Sequence, residues 1–167
     1  MRWIWIDKFT DFQSGRSATA IKNVSLAEEH LHDHFAAYPV MPASLIVEGM
    51  AQTAGILVGE ARDFQEKVIL AKVKRACFRR EVRPGEQLRY EATIEQVTEE
   101  AAMTRGRVFV DGEPLGDIDI VFSHIDNNLS GLKFPEENFV FTDDFKSLLR
   151  SYNVRAARTG AEDGPAR

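Results

Sequence analysis

The sequence has a single cysteine, Cys77, so no disulfide can close within the chain, which suits a reducing compartment. It also lacks a long unbroken apolar run. The most apolar stretch, 43–59, is interrupted by Ser44, Glu48, Gln52, Thr53 and three glycines, which argues against a membrane-spanning helix. The apolar run near Met1 is too short for a secretory signal, so a cytoplasmic location is the expectation. No internal repeat is present. Positive charge is not in excess: 21 Lys and Arg against 26 Asp and Glu leave a net charge of −5, which argues against whole-surface nucleic-acid binding. What remains is an ordinary globular composition, 44% apolar and 28% charged over 167 residues, enough for one domain with its own core.

One stretch organises the rest. A histidine, His34, opens a Pro-rich turn that carries Pro39 and Pro42. The apolar segment from Ala43 to Gly59 then follows, with Glu48 as its one charged residue. An almost wholly apolar helix around a single acid has the pattern of a helix buried on all sides. A buried carboxylate is costly unless it is protonated, paired or functional.

Around this stretch the pattern predicts strands over 3–12 and 16–24, with a turn at Ser14-Gly15. Ser25 and Glu28 have capping-box spacing, predicting a short helix to about His32. Pro42 suits a helix start, and the central helix is expected to reach Asp63. Gly49 and Gly55 within it point to close approach by a neighbouring backbone, such as a sheet wrapped over the helix. Strands are expected from Val68 to Phe78, from Leu88 to Ile94 with clean alternation, over 102–110, and from Leu115 to Ile125. Pro84-Gly85 and Asp111-Gly112 are turns. One long helix with a run of antiparallel strands gives an α+β layout. From Asp126 the composition changes to loop, followed by a short amphipathic helix over 143–152 and a polar end, 156–167, expected to be disordered.

Several side chains are candidates for chemistry. Gln52 lies one helical turn beyond Glu48 and shares its face; it either orients Glu48 or a water, or is an ordinary hydrogen-bonded buried glutamine. His30, His32 and His34 alternate, but no cysteine or acid motif completes a zinc signature, so no metal is expected. Cys77 is expected to be a buried strand residue, although Arg75 and Arg79 flank it. Lys72, Lys74, Arg75, Arg79, Arg80 and Arg83 form a basic block: either a solvated strand edge or a docking face for an acidic partner. No aromatic-stacking motif accompanies it, which disfavours nucleic acid.

His34-Phe35, Pro39-Val40-Met41-Pro42 and Leu45-Ile46-Val47-Glu48-Gly49-Met50-Ala51-Gln52 together resemble the active-site segment of FabZ-type 3-hydroxyacyl-acyl-carrier-protein dehydratases. The block from Phe78 through Arg83-Pro84-Gly85 to Leu88 is similar to that family's next strand–turn–strand. The resemblance spans roughly residues 5–125 and implies a hotdog fold, an antiparallel sheet wrapped around one long helix. It places a hotdog domain at 1–130 and leaves 131–167 as a C-terminal extension. It implies a homodimer, or a higher oligomer of dimers, in which each site takes His34 from one subunit and Glu48 from the other. The amide near Ala43 matches the helix-start donor that polarises the thioester carbonyl. The implied partner is acyl carrier protein, docking on Arg75, Arg79, Arg80 and Arg83, with no membrane span.

The family usually has Phe-Pro-Gly after the histidine and Pro-Gly at the helix start; here Ala36-Ala37 and Pro42-Ala43 stand in those places. The chemistry required is a base for the C2 proton, an acid for the departing 3-hydroxyl, and a donor for the thioester oxygen. Histidine titrates near working pH and suits the base. A carboxyl in apolar surroundings holds its proton to higher pH and suits the acid. The positive end of a helix suits the oxygen. No cofactor is needed. A hotdog acyl thioesterase using Glu48, and a non-catalytic acyl-binding homologue motivated by Ala37 and Ala43, are the alternatives.

Overall fold

The computed structural model describes residues 4–125, 128–129, 132–133 and 137–151. Six antiparallel strands form one sheet in the order β1-β2-β4-β5-β6-β3. They are β1 (Lys8–Gln13), β2 (Ser17–Asn23), β3 (Lys67–Phe78), β4 (Gln87–Val97), β5 (Ala101–Val110) and β6 (Glu113–Ile125). The helix α2 (Ala43–Glu60) packs across this sheet, and with it makes the hotdog arrangement. A four-residue helix α1 (His30–Asp33) precedes it. Two-residue strands β7 (Asn128–Leu129) and β8 (Leu132–Lys133) pair in what the sequence presents as loop. The last described helix is α3 (Asp143–Ser151). The end segment 156–167 lies outside the described residues.

The sheet closes on α2 because its strands alternate. Along β5 the even positions Ala102, Thr104, Gly106, Val108 and Val110 are buried. Their partners on β4 include Leu88, Tyr90 and Ala92, none more than 1% exposed. The Asp111-Gly112 hairpin has φ of 49° and 90°, the paired positive values that suit the twist of a two-residue turn. Both helix glycines act as close-approach points. A Cβ on Gly49 would lie 2.5 Å from the Tyr90 hydroxyl of β4, and one on Gly55 3.3 Å from the Phe122 ring of β6. Any side chain at Gly49 would push the helix off the sheet.

Three local expectations change. The predicted strand over 3–12 shrinks to Lys8–Gln13, because its first part is drawn off the ladder. The Trp5 N–H donates to Gln52 Oε1 at 2.7 Å, and the Asp7 carboxylate accepts from the Asn23 backbone at 2.7 Å. Ser25 does not cap a helix: its Oγ accepts from the Ala27 N–H in a tight turn, and α1 begins five residues after it. Glu28 is engaged by Lys22, whose ammonium is nearly enclosed and needs an anionic partner. Cys77 is exposed, because β3 is an edge strand whose outer half, 71–77, has no covering layer among the described residues.

Candidate active site

His34 sits on the loop between α1 and α2, held from both sides. Its backbone carbonyl accepts from the Val40 N–H at 3.0 Å, and its ring Nδ1 lies 2.9 Å from the Val40 carbonyl. A carbonyl only accepts, so Nδ1 carries the proton and Nε2 presents a lone pair in the neutral ring. The ring stacks on Phe35 with centroids 4.5 Å apart. The peptide joining these two residues is cis. Phe35 and Tyr38 exchange backbone hydrogen bonds of 3.2 and 2.8 Å, closing the loop, and their side chains are exposed beside the histidine.

The prolines set the start of α2. Pro42 takes the N-cap position with no side-chain cap, and the first turn holds no acid. The Leu45 and Ile46 N–H groups both close on the Pro42 carbonyl, so Ala43 and Ser44 present the uncapped, positive end of the helix on the surface. Among the described residues the non-glycine positions with positive φ are Asp63, Phe64 and Asp111. Ala37 and Ala43 therefore occupy ordinary backbone, where alanine meets no conformational penalty. The Pro-Gly block touches the same loop: the Met41 N–H donates to the Val82 carbonyl at 2.8 Å, and Arg83 lies over the Tyr38 ring, 4.5 Å from its centroid.

Glu48 is half-buried in one chain, not enclosed on all sides. The helix stripe of Ser44, Val47, Glu48 and Gln52 turns away from the sheet that covers the opposite face. Glu48 Oε1 accepts from Gln52 Nε2 at 2.9 Å, while Gln52 Oε1 accepts the Trp5 N–H. Gln52 thus ties the carboxylate to the N-terminal segment, a link that one-turn spacing indicates only on the helix side. Glu48 and Gln52 form the polar end of a cleft of about 350 Å³, whose other lining includes Gly55, Phe122, Phe141 and Phe145. The cleft volume is that of a small-molecule site.

His34 and Ala43 do not line this cleft. No hydrogen bond or ion pair joins His34 to Glu48 among the described residues; their polar contacts are with Val40 and Gln52 respectively. Of the other histidines, His30 lies edge-on to Trp5 at 5.1 Å and 3.5 Å from Glu28, and His32 is exposed. Burial lowers the His30 pKa, with Lys22 and His34 acting in the same direction and Glu28 against it. The basic block is partly engaged. Arg75 pairs with Asp117 at 3.0 Å and Arg80 with Glu86 at 2.8 Å, while Arg79 makes no ion pair among the described residues. All four of Arg75, Arg79, Arg80 and Arg83 are exposed. The cleft wall from Val140, Phe141 and Phe145 is what the sequence reading missed; the Phe139-Val140-Phe141 aromatic run was its available signal.

A family model described as a FabA-like domain matches residues 3–119. The chain belongs to the FabZ-type dehydratase family. Its relatives in that family include the 3-hydroxyacyl-(acyl-carrier-protein) dehydratase FabZ of Pelotomaculum thermopropionicum, 35% identical over 122 residues that cover 72% of this chain and 87% of the relative. The FabZ of Oceanobacillus iheyensis is 37% identical over the same shares of the two chains. Among solved structures, the dehydratase heterocomplex ApeI:P from Xenorhabdus doucetiae aligns with a TM-score of 0.63 at 14% identity, covering 74% of this chain and 84% of that one. A Haemophilus influenzae thioesterase, HI1161, aligns at 0.57 and 13% identity over 71% and 77% of the two chains. At such identities both structures speak for the hotdog fold alone.

Proposed function

We propose that this FabZ-type protein dehydrates 3-hydroxyacyl thioesters, carried on acyl carrier protein, to trans-2-enoyl thioesters in fatty acid or related lipid biosynthesis. The observation that carries this reading is the placement of Glu48 at the polar end of an otherwise apolar cleft, within a family of named dehydratases. His34 Nε2 takes the C2 proton. Glu48 gives its proton to the 3-hydroxyl, which leaves as water while the C2–C3 double bond forms. Solvent exchange then returns His34 to the neutral ring and Glu48 to the acid. The amide at Ala43, on the uncapped helix end, stabilises charge on the thioester oxygen. Gln52 is a positioning residue that fixes the Glu48 rotamer. Proton transfer between these groups and substrate completes the elimination without a cofactor.

The site is shared between two copies of the chain, one lending His34 and the other Glu48. Two observations support this: the absence of a hydrogen bond or ion pair between the two among the described residues, and the edge position of β3. Leu70 and Val73 there are 42% and 38% exposed, on a strand whose outer edge pairs with no strand among the described residues. Such an edge is an aggregation hazard unless something pairs with it. The exposed arginines, Arg79 foremost, form the docking face for the acidic carrier. No described helix is long and apolar enough to cross a membrane; the reading places the enzyme in the cytoplasm.

The test is turnover of a 3-hydroxyacyl thioester by purified protein, following the enoyl product and, in parallel, free thiol. Enoyl formation is expected. Thiol release without enoyl product would replace the dehydratase by a thioesterase. His34→Ala and Glu48→Gln should each be inactive yet folded. Mixed and allowed to exchange subunits, they should regain about a quarter of wild-type activity, because half the dimers then hold one intact site of two. No recovery, with exchange shown by tagged subunits, would place both residues in one chain's site.

A further inference from the structure

The cleft extends beyond the part of the chain that the family model matches. From Glu48 and Gln52 it follows α2 past Gly55 and Ile56, and there it meets Val140, Phe141 and Phe145. The match ends at residue 119, so this wall comes from outside the matched domain.

The wall is built into the fold. Phe141 is 4% exposed and lies 4.9 Å from Phe64 between ring centroids. It rests directly on the end of α2, where a Cβ at Gly59 would come 2.5 Å from the Phe141 ring. Asn138 anchors the segment with both ends of its amide. Its Nδ2 donates to the carbonyls of Phe64 at 3.0 Å and Glu66 at 3.1 Å, and its Oδ1 accepts from the Val140 and Phe141 N–H groups at 3.1 and 2.9 Å. These bonds fix the turn that presents the aromatic rings. Leu149 of α3 is fully buried and holds the following helix on the same core.

We propose that residues 137–145 are the stop that sets acyl chain length. This rests on the acyl-thioester reading above. The acyl tail enters at Glu48 and lies along α2 until it meets Phe141 and Phe145. Gly55 and Gly59 lie about 10 and about 16 Å beyond Glu48 along the helix axis, at 1.5 Å per residue. An extended alkyl chain with bonds of about 1.5 Å advances roughly 1.3 Å per carbon, so the cleft takes about eight to twelve carbons past the reacting atoms. The tail fits this occupancy because one end of the cleft is polar and carries the proposed catalytic acid, while the rest is apolar and is flanked by the Phe141 and Phe145 rings.

The experiment measures kcat/KM over 3-hydroxyacyl thioesters from butanoyl to octadecanoyl, with saturated acyl-CoA binding by calorimetry in parallel. Phe145→Ala removes a half-buried part of the wall and should raise kcat/KM for the first poorly accepted chain length about tenfold, from roughly two newly buried methylenes, leaving the shortest substrates unchanged. Val140→Phe should move the cut-off the other way. If both variants fold and both profiles match wild type in turnover and in binding, the stop is overturned. If Phe145→Ala fails to fold, Val140→Phe alone decides. A binding profile that shifts in a protein without dehydratase turnover keeps the stop and rejects the dehydratase. A changed dimer dissociation constant with an unmoved profile assigns the cleft to a second copy of the chain and overturns the proposal.

Discussion

The two ends of α2 differ in almost every physical respect. At its start the chain is an exposed loop, the helix is uncapped, and His34, Ala43 and Glu48 present polar groups to an open side. At its far end the helix is packed under Phe141 and Phe64, and the cleft there is lined by aromatic rings. A reacting centre needs groups that exchange protons and reach a partner, so it tolerates exposure and weak packing. The proposed length stop needs firm walls, and aromatic packing with a four-bond asparagine anchor suits that role.

The largest expected effect sharpens the reactive end. Glu48→Gln should lower kcat/KM by about a thousandfold, the scale of losing a general acid, while calorimetry finds acyl-CoA binding retained. Binding and turnover falling together would mean that Glu48 shapes the cleft, not the reaction. Next come the two glycines. Gly49→Ala drives a methyl into the buried Tyr90 ring and should cost about 1–3 kcal/mol in urea denaturation. Gly59→Ala meets the buried Phe141 ring 2.5 Å away, so it should cost a similar amount and also alter chain-length preference. An unchanged preference would erase the contrast between the ends. Gln52→Leu should reduce kcat about tenfold with little change in KM, since it frees the carboxylate without removing it.

The smallest effect is a pH dependence. His30, beside the reactive loop, has a folded pKa below its ordinary 6.5, chiefly through burial. The unfolded chain therefore takes up the proton first. Its contribution to stability is complete above the ordinary value and declines as pH falls through the folded one. Urea midpoints should drop between about pH 7 and about pH 5, and less steeply in His30→Gln. An equal slope in both proteins would place the acid sensitivity elsewhere.

The strands were readable where burial on one face forces alternation, as from Leu88 to Ile94. The long helix was readable from a single charge in an apolar run. Gly49 and Gly55 gave away the sheet above them because nothing else explains glycine inside a helix. Ser25 misled because the capping-box pattern does not see the preceding strand: Lys22 there, nearly buried, engages the Glu28 carboxylate. Cys77 misled because apolar and cationic residues mixed along β3 do not reveal that it is an edge. Of the residues proposed for the site, His34, Glu48 and Gln52 stood out by spacing. The wall stood out less, since its rings converge from β6 and the C-terminal segment, which no local pattern links, and the Phe139-Val140-Phe141 run was its one signal.

The anchoring of Asn138 bears on how the protein can be cut. A version trimmed just after β6, at Ile125, would look complete by its six sheet strands and central helix. It would nonetheless strip the cover from Phe64 and the last turn of α2, and leave two backbone carbonyls without their donors. An uncovered aromatic surface of that kind is sticky. Recombinant work and crystallisation should therefore keep the chain to at least Ser151.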